Sequence, residues 1–327
     1  MIRFGILGAA RIAPQAVIDP AKENPLVEIQ CIAARDVSRA QIFADDHCIP
    51  EVHDHYQQVI ADPAINAVYV PLPISGHHEW TIKALHAGKH VLCEKSLALN
   101  EAQAIEMQAA ARSTGLVLMD AFHYRYHPLF IRAVEIVQSG VLGKLSMIEA
   151  DFHVKGPVAD DDIRMMYQTG GGVTMDIGCY PLSWVRHLLG SSPLQVSARA
   201  ETGPAQVDIY METDMQFPGG IRAKTTGDMR AGGEFKARIN LVGDAGSLRI
   251  ENPLVPQFGH SLALQVAGKK STVSFDLRSS YAYQLDAFVN AVTNGEPVLT
   301  DGRDGILQMA LIDRVYQAAG LSIRGRS

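Results

Sequence analysis

Cysteine is scarce in this chain and scattered. Cys31, Cys48, Cys93 and Cys179 are the only four in 327 residues, and no two form a C-x-x-C pair. Such a set excludes a disulfide-stapled secreted scaffold and reads as small buried hydrophobes of a reducing, cytoplasmic compartment. Positive charge is also short. The 29 Lys and Arg stand against 35 Asp and Glu, a formal net charge of −6, so there is no basic footprint for nucleic acid. No apolar run reaches the length of roughly 20 residues that a membrane span needs. With the first strand beginning at about Ile2, no signal peptide is expected. No His/Asp/Glu grouping has the spacing of a metal site, and none is expected. Internal repeats and low-complexity linkers are lacking too.

What remains is ordinary globular material. Hydrophobic residues make up 47% and charged residues 20% of the chain, enough for two cores at this length. The first 120 residues alternate strand and helix: strands at Ile2 to Leu7, Val27 to Ala34, Ala67 to Leu72, Val91 to Cys93 and Leu116 to Met119. Between them lie helices through Ala16, over Ser38 to Ala44, over His77 to Ala87 and from Asn100 through Arg112. That alternation argues for a parallel, doubly wound sheet. Beyond a boundary near residues 121–128 the pattern changes. A helix over Pro128 to Ser139 and a strand over Ser146 to Val154 precede a helix opened by Gly170-Gly171-Gly172 and running through Leu189. Strand-like stretches follow at 194–200, 207–217, 220–226, 236–243, 246–251, 262–267 and 271–276, with short turns that imply antiparallel pairing. Helices over Tyr281 to Thr293 and Asp304 to Ala319 close the chain. The fold class is α/β: an N-terminal Rossmann doubly wound parallel sheet over 1–122, then a C-terminal α/β domain over 123–327 with a large, mostly antiparallel open sheet.

Two places carry chemistry. Gly5-Ile6-Leu7-Gly8-Ala9-Ala10-Arg11-Ile12-Ala13 follows the first strand and opens the first helix. Gly8, Ala10 and Ala13 occupy the three glycine positions of a dinucleotide fingerprint in the degenerate form G-x-A-x-x-A, in which small residues still let the backbone approach a pyrophosphate. The second strand ends Ala33-Ala34-Arg35-Asp36, with Arg39 a turn later. An Arg there accommodates a 2′-phosphate and an acidic residue a ribose hydroxyl. NADP is therefore favoured, with NAD possible. The second place is Glu94-Lys95, directly after the strand Val91-Leu92-Cys93. Ligands of open parallel sheets sit beyond the carboxyl ends of the strands, and an ionisable pair placed there needs partners or a task.

The chain resembles the glucose–fructose oxidoreductase / inositol dehydrogenase / MocA family over essentially its whole length. The matching elements are Phe4-Gly5-Ile6-Leu7-Gly8, Val68-Tyr69-Val70-Pro71-Leu72-Pro73 with His77, and Gly88-Lys89-His90-Val91-Leu92-Cys93-Glu94-Lys95. Tyr124-Arg125-Tyr126-His127-Pro128 and Gly171-Gly172-Val173-Thr174-Met175-Asp176-Ile177-Gly178-Cys179-Tyr180 follow in the same order. Tyr180, at a position often His in the family, points to the subgroup of aldose and dimeric dihydrodiol dehydrogenases. In one respect the chain departs. The family's Glu-Lys-Pro, often with a cis peptide, is here Glu94-Lys95-Ser96. Because a cis bond costs several kcal/mol more before Ser than before Pro, a trans Lys95–Ser96 peptide is expected, the alternative being a strained loop whose cause the sequence hides.

The resemblance implies hydride transfer between nicotinamide and a hydroxyl of a sugar, polyol or cyclic trans-diol. It implies a cofactor-binding set of Gly8, Ala10, Arg11, Ile12, Arg35, Arg39, Leu72, Pro73, His77, Glu94 and Lys95. The catalytic set is Lys95, Tyr180 and Asp176, and Lys95, Arg125, His127, Asp176 and Tyr180 would contact substrate. Asp176 and Tyr180 are four positions apart and share a helix face. A free Tyr titrates near 10, so acting near pH 7 would take about 4 kcal/mol of differential interaction. The expected division has Tyr180 moving the proton, Lys95 polarising the oxygen and Asp176 orienting hydroxyls, with the converse roles of Lys95 and Tyr180 open. Other readings are a keto-sugar reductase and a non-catalytic dinucleotide-binding regulator. His53, His55 and His78 read as solvated, as does the run Asp160-Asp161-Asp162. The resemblance further implies a homodimer or higher homo-oligomer, formed through the broad sheet of the second domain.

Overall fold

A computed structural model describes residues 1–326 other than 157, 160, 204 and 205. Its contacts divide the chain into two compact units: Met1–His123 with Ser279–Ile306, and Tyr124–Arg278 with Leu307–Ser327. The return of Ser279–Ile306 to the first unit departs from the sequence pattern, which keeps 123–327 together.

In the first unit, among the described residues, six strands form one sheet. They are β1 (Ile2–Leu7), β2 (Val27–Ala33), β3 (Glu51–His53), β4 (Ala67–Val70), β5 (His90–Cys93) and β6 (Leu118–Asp120), in the order β3-β2-β1-β4-β5-β6. Every pairing is parallel. This is the doubly wound arrangement that binds dinucleotides, with the chain reversing direction beside β1. β4 and β5 are buried on both faces, as strands covered by helices on both sides must be. The connecting helices are α1 (Asp19–Glu23, preceded by a π turn at Pro14–Ile18), α2 (Val37–His47), α3 (Tyr56–Ala61), α4 (Ile74–His86) and α5 (Glu101–Thr114). Asp36 caps α2 and Asn100 caps α5 through side-chain oxygens that accept from the backbone amides of Arg39 and Gln103. The first helix runs on to Glu23, beyond the expected Ala16. The sequence pattern predicts neither β3 nor α3, because three residues of an edge strand, Glu-Val-His, carry no apolar run.

The second unit holds α6 (Pro128–Gln138), β7 (Leu145–His153), α7 (Cys179–Leu189), β8 (Gln195–Thr202), β9 (Asp208–Gln216), β10 (Arg222–Asp228), β11 (Lys236–Gly243), β12 (Gly246–Glu251), β13 (Ser261–Val266) and β14 (Lys269–Val273). Among the described residues its eight strands run β14-β13-β12-β11-β7-β10-β9-β8. Only β7 and β10 pair in parallel. Along β7, β10 and β11 residues alternate. Ile148, Ala150, Ala223, Thr225, Ile239 and Leu241 are buried, and their neighbours are more exposed. α7 packs on β7 and β10.

The last helices are α8 (Ser280–Asn294) and α9 (Gly302–Ala318). α8 packs against α1. Phe288 lies 5.3 Å from Phe4 of β1, Tyr281 stacks at 3.9 Å on His123, and Asn24 donates to Asp286 at 2.9 Å. These contacts explain why the segment belongs to the first unit. The structure also corrects the expectation for the Lys95–Ser96 peptide, which is cis rather than trans. The local preference of a serine peptide does not act alone there. Ser96 is fully buried, and its carbonyl meets His77 Nδ1 at 2.9 Å.

Candidate active site

β1 ends at Leu7, and the next amide, of Gly8, donates to Ala33 O at 2.7 Å, tying the turn to the end of β2. Gly8 has φ +108, and a Cβ on it would lie 3.2 Å from Leu72 Cδ2. Backbone conformation and space therefore both require glycine. Arg39 reaches back over the turn, its Nη2 donating to Ala9 O at 2.8 Å. Arg35 and Arg39 are exposed. Asp36 uses a carboxylate oxygen to cap α2, accepting from Arg39 N at 3.2 Å. Tyr56 lies beside the same strand end, where burial raises its hydroxyl pKa and the nearby Arg35 charge opposes that.

At the end of β5, Glu94 N donates to Val70 O at 3.1 Å and Ala121 N to Cys93 O at 2.8 Å, fixing the loop between two strand ends. Glu94 is buried and accepts from the Tyr69 hydroxyl at 2.7 Å. Tyr69 and Tyr281 are held neutral, their pKa values pushed up first by burial and then by the Glu94 carboxylate. Lys95 is half-buried. His77 presents Nδ1 to Ser96 O at 2.9 Å and Nε2 to Leu72 O at 2.8 Å, so it joins the loops after β4 and β5. Burial pushes its pKa down to about 4, against the two carbonyls and with the help of the Lys95 charge. The neutral ring carries one N–H, so it donates to one of these two carbonyls and lies against the other.

The second unit carries the other expected residues. Thr174–Gly178 form a π turn that runs directly into α7, and this wide turn carries Asp176 just ahead of Tyr180; such turns recur at functional sites. Asp208 anchors the start of this helical stretch. Its Oδ2 accepts from Thr174 N at 2.8 Å, and its Oδ1 accepts from Tyr316 Oη at 3.1 Å and Arg324 Nη2 at 2.6 Å. The Arg324–Asp208 pair is almost wholly buried, at 1% and 0% exposure. Gly172, at φ +130, makes room for it, since a Cβ would fall 2.1 Å from Asp208 Oδ1. Asp176 Oδ2 accepts from Arg164 Nε at 2.7 Å, and Arg164 also bonds Asp162. The expectation of a solvated acidic run holds for Asp161, which is exposed, and is corrected for Asp162, which Arg164 links to Asp176, while Asp160 lies outside the described residues. Tyr180 is 5% exposed, edge-on to Phe152 and Tyr124 at 5.7 and 6.2 Å. Tyr124 Oη in turn meets Ser183 and His187, at 2.7 and 2.9 Å. Arg125 lies over the Phe130 ring at 5.5 Å. His127 caps α6, its Nδ1 accepting from Leu129 N at 3.1 Å.

Gly8 with its small neighbours Ala9, Ala10 and Ala13 fits a dinucleotide. Sequence reasoning missed one further buried polar residue in this unit. Gln284 on α8 is fully buried, yet its carboxamide oxygen and nitrogen have no partner among the described residues. It stands one turn from Tyr281 and one turn from Phe288, the residues that seat α8 on His123 and β1. Buried polar groups are rarely left unbonded, so this amide is equipped to hold a polar ligand. No sequence signal marks it, because a Gln on an apolar helix face reads as an error in the pattern.

Residues 2–122 match an oxidoreductase family model with an NAD-binding Rossmann fold, and residues 130–249 match the GFO/IDH/MocA C-terminal domain. The chain belongs to the GFO/IDH/MocA oxidoreductase family. Within this family it is 33% identical over 316 residues to D-xylose 1-dehydrogenase (NADP(+)) 2 of Haloferax volcanii, covering 97% of each chain. It is 32% identical over 335 residues to a trans-1,2-dihydrobenzene-1,2-diol dehydrogenase of Xenopus tropicalis, covering 98% of each. Among solved structures of the same fold, a 3-ketoreductase of Actinomadura kijaniata in complex with NADP and TDP-benzene superposes with a TM-score of 0.87 at 29% identity, over 97% of each chain. As a GFO/IDH/MocA member the chain is an NAD(P)-binding oxidoreductase. No helix among the described residues is long and apolar enough to cross a membrane.

Proposed function

We propose that the chain is an NADP-preferring oxidoreductase acting on a hydroxyl of a sugar, polyol or cyclic trans-diol, or in the reverse direction on the corresponding keto group. The observation that carries this reading is Lys95 at the carboxyl end of β5 in a sheet of order β3-β2-β1-β4-β5-β6, where such sheets bind their ligands. The relatives support the substrate class, since they include a xylose dehydrogenase, a dihydrodiol dehydrogenase and dTDP-keto-sugar 3-reductases. Arg35 and Arg39, exposed at the end of β2, support a 2′-phosphate.

The nicotinamide, when bound, supplies the hydride acceptor or donor. Gly8, Ala10, Arg11 and Ile12 take the pyrophosphate, Leu72, Pro73 and Glu94 border the ribose and ring, and His77 keeps their two loops in register. Tyr180 Oη carries the hydroxyl proton as general acid–base. The Lys95 amine polarises the reacting oxygen. Asp176, held by Arg164, orients neighbouring hydroxyls, as hydroxyl-rich substrates require. Arg125 contacts substrate, and His127 shapes the segment that bears it. The chain acts in the cytoplasm as a homodimer or higher homo-oligomer joined through the outer face of the eight-stranded sheet, where Lys224–Glu212 and Lys236–Asp151 pairs lie partly exposed.

The test is a coupled absorbance screen with NADP and NAD over aldoses, inositols and trans-diols, run in both directions. Absence of turnover with every panel member, in both directions and with both cofactors, would refute the reading. Tight NADP binding with no turnover would favour the regulator.

A further inference from the structure

The first unit contains a second group of chemistry-bearing side chains, at the β2–β3 edge of its sheet. A thiol sulfur of Cys31, a ring nitrogen of His53 and a carboxylate oxygen of Asp62 all lie within 4.8 Å of one another. The register pairs Cys31 with Glu51 and Ala33 with His53. Alternation along the strands therefore puts Cys31, Glu51 and His53 on one face of the sheet. Asp62 follows α3 directly and is held in place. Its Oδ1 accepts from Ala64 N at 2.7 Å, and the Lys89 ammonium donates to the carbonyls of Asp62 and Ile65 at 2.6 and 2.8 Å. That leaves Oδ2 turned toward His53 Nε2, 3.2 Å away.

We propose that Cys31, His53 and Asp62 form a binding site for a zinc-class divalent cation, with water or Glu51 in the fourth position. Thiolate, imidazole and carboxylate together suit a borderline-soft tetrahedral ion. With bonds of about 2.0–2.3 Å, neighbouring donors around such an ion lie about 3.3–3.6 Å apart, so the three groups need to close by only about 1 Å. Cys31 is fully buried, while the His53 and Asp62 side chains are 24% and 10% exposed. The site is closed on the sulfur side and open on the imidazole side, which gives an entry path. Charge is balanced: the ion and the Lys89 ammonium face the Cys31 thiolate and the Asp62 and Glu51 carboxylates. Binding exchanges the thiol proton for the metal, so each ion bound to Cys31 releases one proton to solvent. Because His53 precedes α3 and Asp62 follows it, the ion clips both ends of that helix. Binding to the folded form alone adds to stability.

The experiment titrates chelator-treated protein with Co2+ and with Zn2+. Expected are one Co2+ per chain, a near-ultraviolet sulfur-to-cobalt charge-transfer band and one proton released. The band is retained in Cys48→Ser, the exposed-cysteine control, and absent in Cys31→Ser, and His53→Asn weakens affinity at least tenfold. Zn2+ raises the thermal midpoint of the wild type and raises that of His53→Asn less. Absence of the band in the wild type, or its persistence in Cys31→Ser, overturns the site. Should Cys31→Ser fail to fold, the partly exposed His53 carries the test: an equal midpoint rise with Zn2+ in His53→Asn overturns the proposal.

Discussion

Tyr180 is packed on three sides by aromatic rings, so removing its hydroxyl alone leaves the packing intact. In Tyr180→Phe, kcat is expected to fall about 10²–10⁴-fold, the range of a general acid–base group, while NADP affinity is unchanged. Lys95→Ala is expected to lose about 10²–10³-fold by removing one electrostatic donor. pH–rate profiles of the two variants separate the roles, because only the group that moves the proton takes a limb of the wild-type profile with it. Near-normal kcat in Tyr180→Phe would reassign the proton to Lys95. Two histidines make a second prediction. His77 and His127 are both held at about 4 by burial, against the ordinary 6.5. The unfolded chain therefore takes up their protons first as pH falls. The stability they contribute is complete above about pH 6.5 and is lost toward pH 4, up to about 3 kcal/mol for His77 and less for His127, whose surroundings are more polar. Urea unfolding across that window should show the decline, and His127→Gln should flatten it.

At the scale of elements, the helical stretch bearing Asp176 and Tyr180 is anchored at its start by Asp208. Gly172, Thr174 N, Tyr316 and Arg324 converge on that carboxylate. Asp208→Asn leaves a buried guanidinium without its counter-charge and is expected to destabilise the protein by about 3–5 kcal/mol, read as a lower urea midpoint with an unchanged slope. The double variant Asp208→Asn with Arg324→Met should recover part of that loss. Much of the element pattern is legible in the sequence. β1, β11 and β12 have the bounds that the apolar runs indicate, and Asp36 and Asn100 cap the helices that follow them. The misses have physical causes. β3 is a polar edge strand. The Lys95–Ser96 peptide is cis, against the preference of a serine peptide, and nothing beside it in the chain reports that. Asp208, Arg164 and Gln284 meet their partners or their isolation only in three dimensions, and nothing near them in the chain reports it.

At the scale of the molecule, five short motifs in a fixed order are enough to mark the family. The fold is the one they imply, a parallel six-stranded sheet and an eight-stranded, mostly antiparallel one. What the sequence conceals is the route of the chain, which comes back at Ser279–Ile306 to complete the first unit. Cofactor choice belongs to this scale, because it sets which cellular pool the enzyme draws on. Arg35→Ala is expected to cut the NADP/NAD ratio of kcat/KM at least tenfold, a change of about 1.4 kcal/mol. An unchanged ratio would remove Arg35 from the role. The most direct test of the proposed activity is the rate of nicotinamide reduction by the wild-type protein with NADP and a panel of aldoses, inositols and trans-diols. Turnover of at least one of them is predicted, faster with NADP than with NAD. Tight NADP binding with no turnover of any panel member, in either direction, would contradict it.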